Sequence, residues 1–465
     1  MLPQPRGHWL VGQLWEQRRD PLGLLVRGLE KYGDAVAYRF GPYRALQLNH
    51  PRLFKRVLVD NESNYVKWSA LRRARPLLGD GLVLANGATW RHRRKIYGSA
   101  FRREHLRAIS PTMVEATKGF IDHLSRLPEG TPINLLHDLL KLTLAIVSRS
   151  LLSRDLGGFG VDDDPAAREL GHNFDEAVEV VAKRIISFNP LAGVLPTSQN
   201  RGFNRLIRAI DHQVDRIIAD RLTRQKSDGE PRPDLLAGLM ENDENGSGSP
   251  IDTRLLRDEI LTILLSGRGT SAVGLTWMWW LLDRHPEIEE RVRAEALAVL
   301  GPERMPTAED LDRLQLTARV IQEALRLYPP IWVVARQAVD FDELDGEITV
   351  APGTIILISP YVVHRHSALW PDPEQFDPDR FLPSTISQRS RMAWIPFGHG
   401  PRTCIGGSFA MQEALLITAM VVRQFRLCAC SNVRPALEPL ITLRPKGGLK
   451  VRVHGVGRES VPSAP

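Results

Sequence analysis

The chain has 465 residues, 43% of them hydrophobic and 25% charged, which excludes wholesale disorder and is ample for a large buried core. Lysine plus arginine exceed aspartate plus glutamate by 61 − 54 = 7, a modest basic excess. No run reaches the roughly 18 apolar residues a membrane span needs, and three cysteines give no disulfide framework. Asp20-Pro21 opens an amphipathic helix through Leu22, Leu25, Val26, Leu29 and Tyr32. Ala35 to Phe40 and Arg44 to Leu48 then flank a turn at Gly41-Pro42 as a β-hairpin, and His50-Pro51 starts another helix. Residues 111–152 and 169–224 recur at helical spacing.

Residues 252–284 lack proline and predict a helix roughly 50 Å long, buried because its apolar positions are nearly continuous. Gly267 and Gly269 interrupt its centre, in Ser266-Gly267-Arg268-Gly269-Thr270-Ser271. Glycines there allow either close helix packing or the approach of a flat cofactor. A further helix follows Pro286, and the helix over 317–327 carries Glu323 and Arg326, which share a face at i and i+3. A strand-rich segment runs to Pro360. Cys428 and Cys430 have neither redox nor zinc spacing and read as strand residues.

Near the C-terminus, Phe397-Gly398-His399-Gly400-Pro401-Arg402-Thr403-Cys404-Ile405-Gly406 sets one cysteine in a glycine-bracketed loop with a cation two positions before it. A thiolate presented to a metal needs positive charge and oriented N–H groups, and a loop passing under a flat cofactor needs residues without Cβ atoms. This order resembles the haem-binding signature of the cytochromes P450, with Ala410 where that family has alanine. Glu323, Arg326 and Arg380, the last in Phe376-Asp377-Pro378-Asp379-Arg380-Phe381, match the family's structural triad.

The resemblance implies a mainly α protein with small β-sheets, a single domain over 1–465 with haem between the long central helix and the cysteine loop. The β-rich parts fall at roughly 30–50 and 330–365, and residues 456–465 form a flexible tail. It implies haem b, with Cys404 as axial iron ligand and Phe397, Gly398 and Gly267 against the cofactor. Trp90, Arg94, Arg336 and Arg402 would meet its propionates. O2 would be handled by Thr270, with Ser266 and Ser271 carrying protons in place of the family's acid, which here is Gly269.

Arg91, Arg93 and Lys95 would dock a ferredoxin or flavodoxin passing electrons from NAD(P)H through a separate reductase, since the chain has no dinucleotide or flavin motif of its own. The basic run lacks a nucleic-acid recognition pattern. A cytoplasmic monomer without a membrane anchor is expected. Trp68, Phe188 and Trp332 suggest a pocket for a bulky hydrophobic molecule, and the run from Leu195 to Asn204 is similar to bacterial members oxidising fatty acids and sesquiterpenes. Asp162-Asp163-Asp164 reads as a solvated loop. The alternatives are a peroxide-dependent peroxygenase or haem-thiolate isomerase, motivated by Gly269, and a non-enzymatic haem sensor or carrier.

Overall fold

The computed structural model describes residues 2–159, 165–186, 197–228, 234–241 and 252–457. Phe188, Asp162 to Asp164, the stretch from Leu195 to Pro196 and nearly all of the C-terminal tail lie outside these.

The hairpin forms as its alternation requires. Ala35–Phe40 pairs antiparallel with Tyr43–Leu48, burying Val36, Tyr38 and Phe40 on one face. Its second strand then pairs in parallel with Ile355–Ile358, which pairs antiparallel with Val334–Ala338, and that strand pairs with Tyr65–Lys67. The two β-rich regions of the sequence are therefore one sheet, closed by a short strand that the sequence pattern did not reveal. Lys67 and Arg336 face each other across it. A second sheet joins Pro132–Asn134, Lys450–Gly455 and Phe425–Ala429; Cys428 lies on its last strand and Cys430 just beyond.

The long helix spans Thr253–Arg284, capped by the Asp252 carboxylate, which accepts from the amides of Arg254 and Leu255. It remains helical through Ser266–Ser271 despite two glycines. Helix Leu135–Leu152 lies along it, and here Gly267 departs from expectation. A Cβ at 267 would come within 2.6 Å of Val147 Cγ2, so Gly267 is small to let that neighbouring helix approach, not to admit a cofactor. A Cβ at Gly269 would meet nothing within 4 Å. Thr143, one turn before Val147, donates to the Arg268 carbonyl at 2.9 Å, fixing the height at which the two helices cross.

Trp277 stacks on Tyr328 at 4.2 Å and donates its indole N–H to Leu443 O, tying the long helix to the C-terminal turn. Trp68 and Trp332 also differ from expectation. They are buried in an apolar cluster with Leu24, Phe40, Tyr361 and Leu443, as core rather than pocket aromatics. Among the described residues no helix is long and apolar enough to cross a membrane.

Candidate haem-thiolate site

The cysteine loop is built by turns that need glycine. Gly398 has φ +72°, and Gly400 at φ +77° approaches the chain so closely that a Cβ would lie 2.0 Å from Leu58 O. The Cys404 amide donates to Phe397 O at 2.8 Å, folding the loop back on itself, and helix Gly407–Val422 begins three residues later. The thiol thus sits at the positive end of a helix. Burial raises its pKa, opposed by a hydrogen bond from the Gly406 amide and by the charge of Arg94. Protein crowds around the thiol, yet the residue keeps an exposed face. Phe397 packs beneath, edge-on to Trp394 at 6.0 Å.

Behind the loop, Arg326 donates Nε and Nη2 to the two Glu323 carboxylate oxygens at 2.6 and 2.7 Å. Its remaining donors reach His364 O, Pro373 O and Gln375 O. Arg380 completes the group with Nε 3.5 Å from Glu323 Oε1. Glu323 and Arg326 are both 0% exposed, so each must satisfy the other. His364, which sequence reasoning missed, links this group to the loop. Burial depresses its pKa to about 3, leaving a neutral ring whose Nδ1 donates to Arg326 O and whose Nε2 accepts from the Ile395 amide at 2.8 Å. No motif marks it, because its partners are backbone atoms.

The cations predicted around the cofactor do converge. Arg402 lies over the Trp90 ring at 4.8 Å, pairs with Glu62 at 3.2 Å and donates to Asn86. Arg94, one turn after Trp90 on helix Gly87–Ala100, donates to Thr403 O at 2.7 Å. Arg336 is depressed to about 10 by burial and by Arg402. Lys67 is a fourth member that sequence reasoning missed. Burial, then Arg402 and Arg336, lower its pKa to about 7, while its ammonium donates to Leu82 O and Ala85 O. Buried like charges held this close demand anions, and two propionates would supply them. The residues present therefore fit a haem.

On the long helix, Ser266 is exposed and Thr270 partly accessible, within a short run from Leu265 to Ser271 in which only Arg268 is buried. Both hydroxyls donate back to their own helix, Ser266 Oγ to Thr262 O and Thr270 Oγ1 to Ser266 O, each at 2.6 Å. Ser271 points elsewhere, toward Glu413 of helix Gly407–Val422. Arg268 is buried and bound to the Asp175 carboxylate and to Gly171 O, which suits the structural role expected of it.

The basic cluster divides. Arg91 and Lys95 are exposed, but Arg93 is 7% exposed and 3.4 Å from Glu259, itself 0% exposed, so Arg93 is a bolt between helices and not a docking residue. Glu259 also accepts from Tyr97 at 2.6 Å and from the Leu82 amide at 3.0 Å.

The sequence model of the family described as Cytochrome P450 matches residues 2–452. Cyclooctatin synthase of Streptomyces melanosporofaciens is 33% identical over 95% of this chain and 93% of its own length. Pentalenene oxygenase of Streptomyces avermitilis is 34% identical over 92% and 91%, and cyclooctat-9-en-7-ol 5-monooxygenase of Streptomyces melanosporofaciens 33% identical over 90% and 87%. With the cysteine loop, its supporting Glu323–Arg326 pair and the buried cations in one place, this chain belongs to the cytochrome P450 family and is an oxidoreductase of the monooxygenase class that uses haem, O2 and supplied electrons.

Proposed function

We propose that this enzyme inserts one atom of O2 into a terpenoid or other lipophilic natural-product intermediate. Three relatives along nearly the whole chain are named for work on cyclooctatin, pentalenene and cyclooctat-9-en-7-ol, which supports that substrate class. Haem b, when bound, supplies an iron made electron-rich by its thiolate ligand, the property that activates oxygen. The chain's own residues do the rest. Cys404 supplies the thiolate, stabilised by the Gly406 amide and the Arg94 charge. Trp90, Arg94, Arg336 and Arg402, joined by Lys67, hold the propionates. Phe397 and Gly398 shape the loop beneath, and Glu323, Arg326 and Arg380 brace it from behind. Thr270 offers a hydroxyl on the accessible face of the long helix to steady dioxygen, with Ser266 one turn away.

The observation that carries this reading is the gathering of Lys67, Arg94, Arg336 and Arg402 around the Cys404 loop with too little negative charge from the protein. Electrons would come from NAD(P)H through a separate reductase and a ferredoxin or flavodoxin, and the protein would act as a cytoplasmic monomer. Reduced, carbon monoxide-treated protein should give the red-shifted Soret band of thiolate-ligated haem, and Cys404→Ala should lose it while still folding. A band that survives the substitution sinks the assignment. Terpenes and fatty acids screened for the low-spin to high-spin Soret change test the substrate class, with no response from any terpene counting against it. Gly269 favours a second reading, peroxide-driven oxygenation, which requires faster turnover with peroxide than with reductase, ferredoxin and NADPH.

A further inference from the structure

Large apolar side chains left in water cluster at one place near the start of the chain. Trp9 is 79% exposed, Leu10 59% and Trp15 63%, whereas every other tryptophan is buried or half-buried. Trp9 and Leu10 sit at the tip of a tight loop closed by two backbone hydrogen bonds, His8 N to Gly12 O at 2.9 Å and Gly12 N to His8 O at 2.8 Å. The first hairpin holds this loop. A Cβ at Gly12, whose φ is +61°, would lie 2.0 Å from Arg39 O, and the Gln13 side chain accepts from the Arg39 amide and donates to Pro5 O. The tip is therefore held out by built contacts and is not a frayed segment. Trp15 follows on the short helix Leu14–Arg19, which also turns Arg18 and Arg19 outward. Charge on this face is one-sided. Residues 6–19 carry Arg6, Arg18 and Arg19 against a single acid, Glu16. Arg39 and Arg44 stand opposite each other across the hairpin, like charges at a pairing that favours opposite ones. Among the described residues, Arg6, Arg19, Arg39 and Arg44 have no carboxylate within ion-pair distance.

We propose that Trp9, Leu10 and Trp15, with the arginines around them, form a docking site for the surface of an anionic lipid bilayer. An indole has an apolar body and a polar N–H, which suits the depth of lipid headgroups better than open water. Guanidinium groups without protein partners gain from the negative potential of anionic lipids, an attraction that fades within a Debye length of the surface. Stable attachment without a spanning helix takes two signals, and here a shallow apolar insertion and a basic surround supply them. A protein partner suits this face less well. Two side chains at the tip of the His8–Gly12 loop make a prominence, whereas a stable protein interface needs roughly 800 Å² of matched surface on each side. The docking itself does not depend on the substrate class, though a lipophilic substrate dissolves in the same bilayer.

The test is sedimentation of the haem-loaded protein with vesicles of phosphatidylcholine alone and of phosphatidylcholine mixed with phosphatidylglycerol. The wild type should partition onto the mixed vesicles about tenfold more strongly than onto the neutral ones, and the difference should close as salt is added. Trp9→Ser with Trp15→Ser should weaken binding to the mixed vesicles by about tenfold at every salt concentration. Arg19→Glu with Arg44→Glu should weaken it only at low salt. No binding of the wild type to the mixed vesicles, or equal binding by the W9S/W15S protein, overturns the proposal. Self-association in lipid-free solution that W9S/W15S abolishes, with no vesicle binding, overturns it in favour of a second copy of the chain. Should the variants fail to load haem, quenching of wild-type tryptophan emission by brominated acyl chains in the mixed vesicles decides, and its absence overturns the proposal equally. Failure of the monooxygenase reading is separate, since it would remove the thiolate carbon monoxide band and leave vesicle binding unchanged.

Discussion

Lys67 and Arg336 stand directly opposite each other on antiparallel strands, two cations at a position where opposite charges stabilise a sheet. Protein anions do not balance them: Glu62 engages Arg402, and Glu259 acts on Lys67 only weakly. The arrangement sacrifices stability of the haem-free protein for a site that receives a dianion.

Titration makes that sacrifice measurable. Lys67 has an ordinary pKa of about 10.4 in the unfolded chain and about 7 in the folded, haem-free protein. Between those values the unfolded state binds the extra proton, so stability of the haem-free protein rises with pH across the window. Lys67→Met should flatten the rise. Haem loading should shrink it in the wild type, because the propionates favour the charged ammonium. Thermal unfolding of both forms from about pH 7 to pH 10 checks this, and equal slopes in wild type and variant would contradict it.

Two glycines two residues apart should answer alanine oppositely. At Gly267 the new methyl meets Val147, a β-branched side chain with little rotamer freedom, and should cost about 1–3 kcal/mol. At Gly269 nothing lies within 4 Å, so alanine should gain about 0.5–1 kcal/mol of helix propensity. Denaturant midpoints of the haem-loaded variants would show the difference. Equal losses at both positions would mean that the long helix is crowded on both faces.

Reduction kinetics should separate the basic residues of helix Gly87–Ala100. Arg91→Glu with Lys95→Glu should slow electron transfer from a ferredoxin by about tenfold or more at low ionic strength, the gap closing as salt is added, without loss of stability. Arg93→Glu should instead lower stability by about 3–5 kcal/mol, because it buries a second carboxylate against Glu259. Stopped-flow reduction and thermal melts on the same three proteins distinguish docking from bolting. Equal reduction rates for the double variant and the wild type at low salt would refute docking at this helix.

Local signals were the legible ones. The Cys404 loop could be read because its glycines, arginine and cysteine act within ten residues, and the Thr253–Arg284 helix because the lack of proline and nearly continuous apolar positions suffice to mark it. Glu323 and Arg326 share a helix face by geometry alone. Less accessible was anything that depends on what stands across from a residue. Arg93 resembles its charged neighbours in sequence, yet the helix turns it inward onto Glu259. Gly267 and Gly269 look equivalent, yet Val147 touches one and not the other. His364 and Lys67 carry no pattern, since their partners are backbone carbonyls and amides from distant segments.

Taken alone, the chain determined two features: a cysteine in a turn that needs glycine, and a long apolar helix. Short-range sterics and helical periodicity settle these, and both are written in consecutive residues. Tertiary structure decided the electrostatics. Charge depends on burial and on neighbours hundreds of positions away, and only the folded sheet sets Lys67 opposite Arg336, only the packed helices leave Glu413 dry beside Ser271.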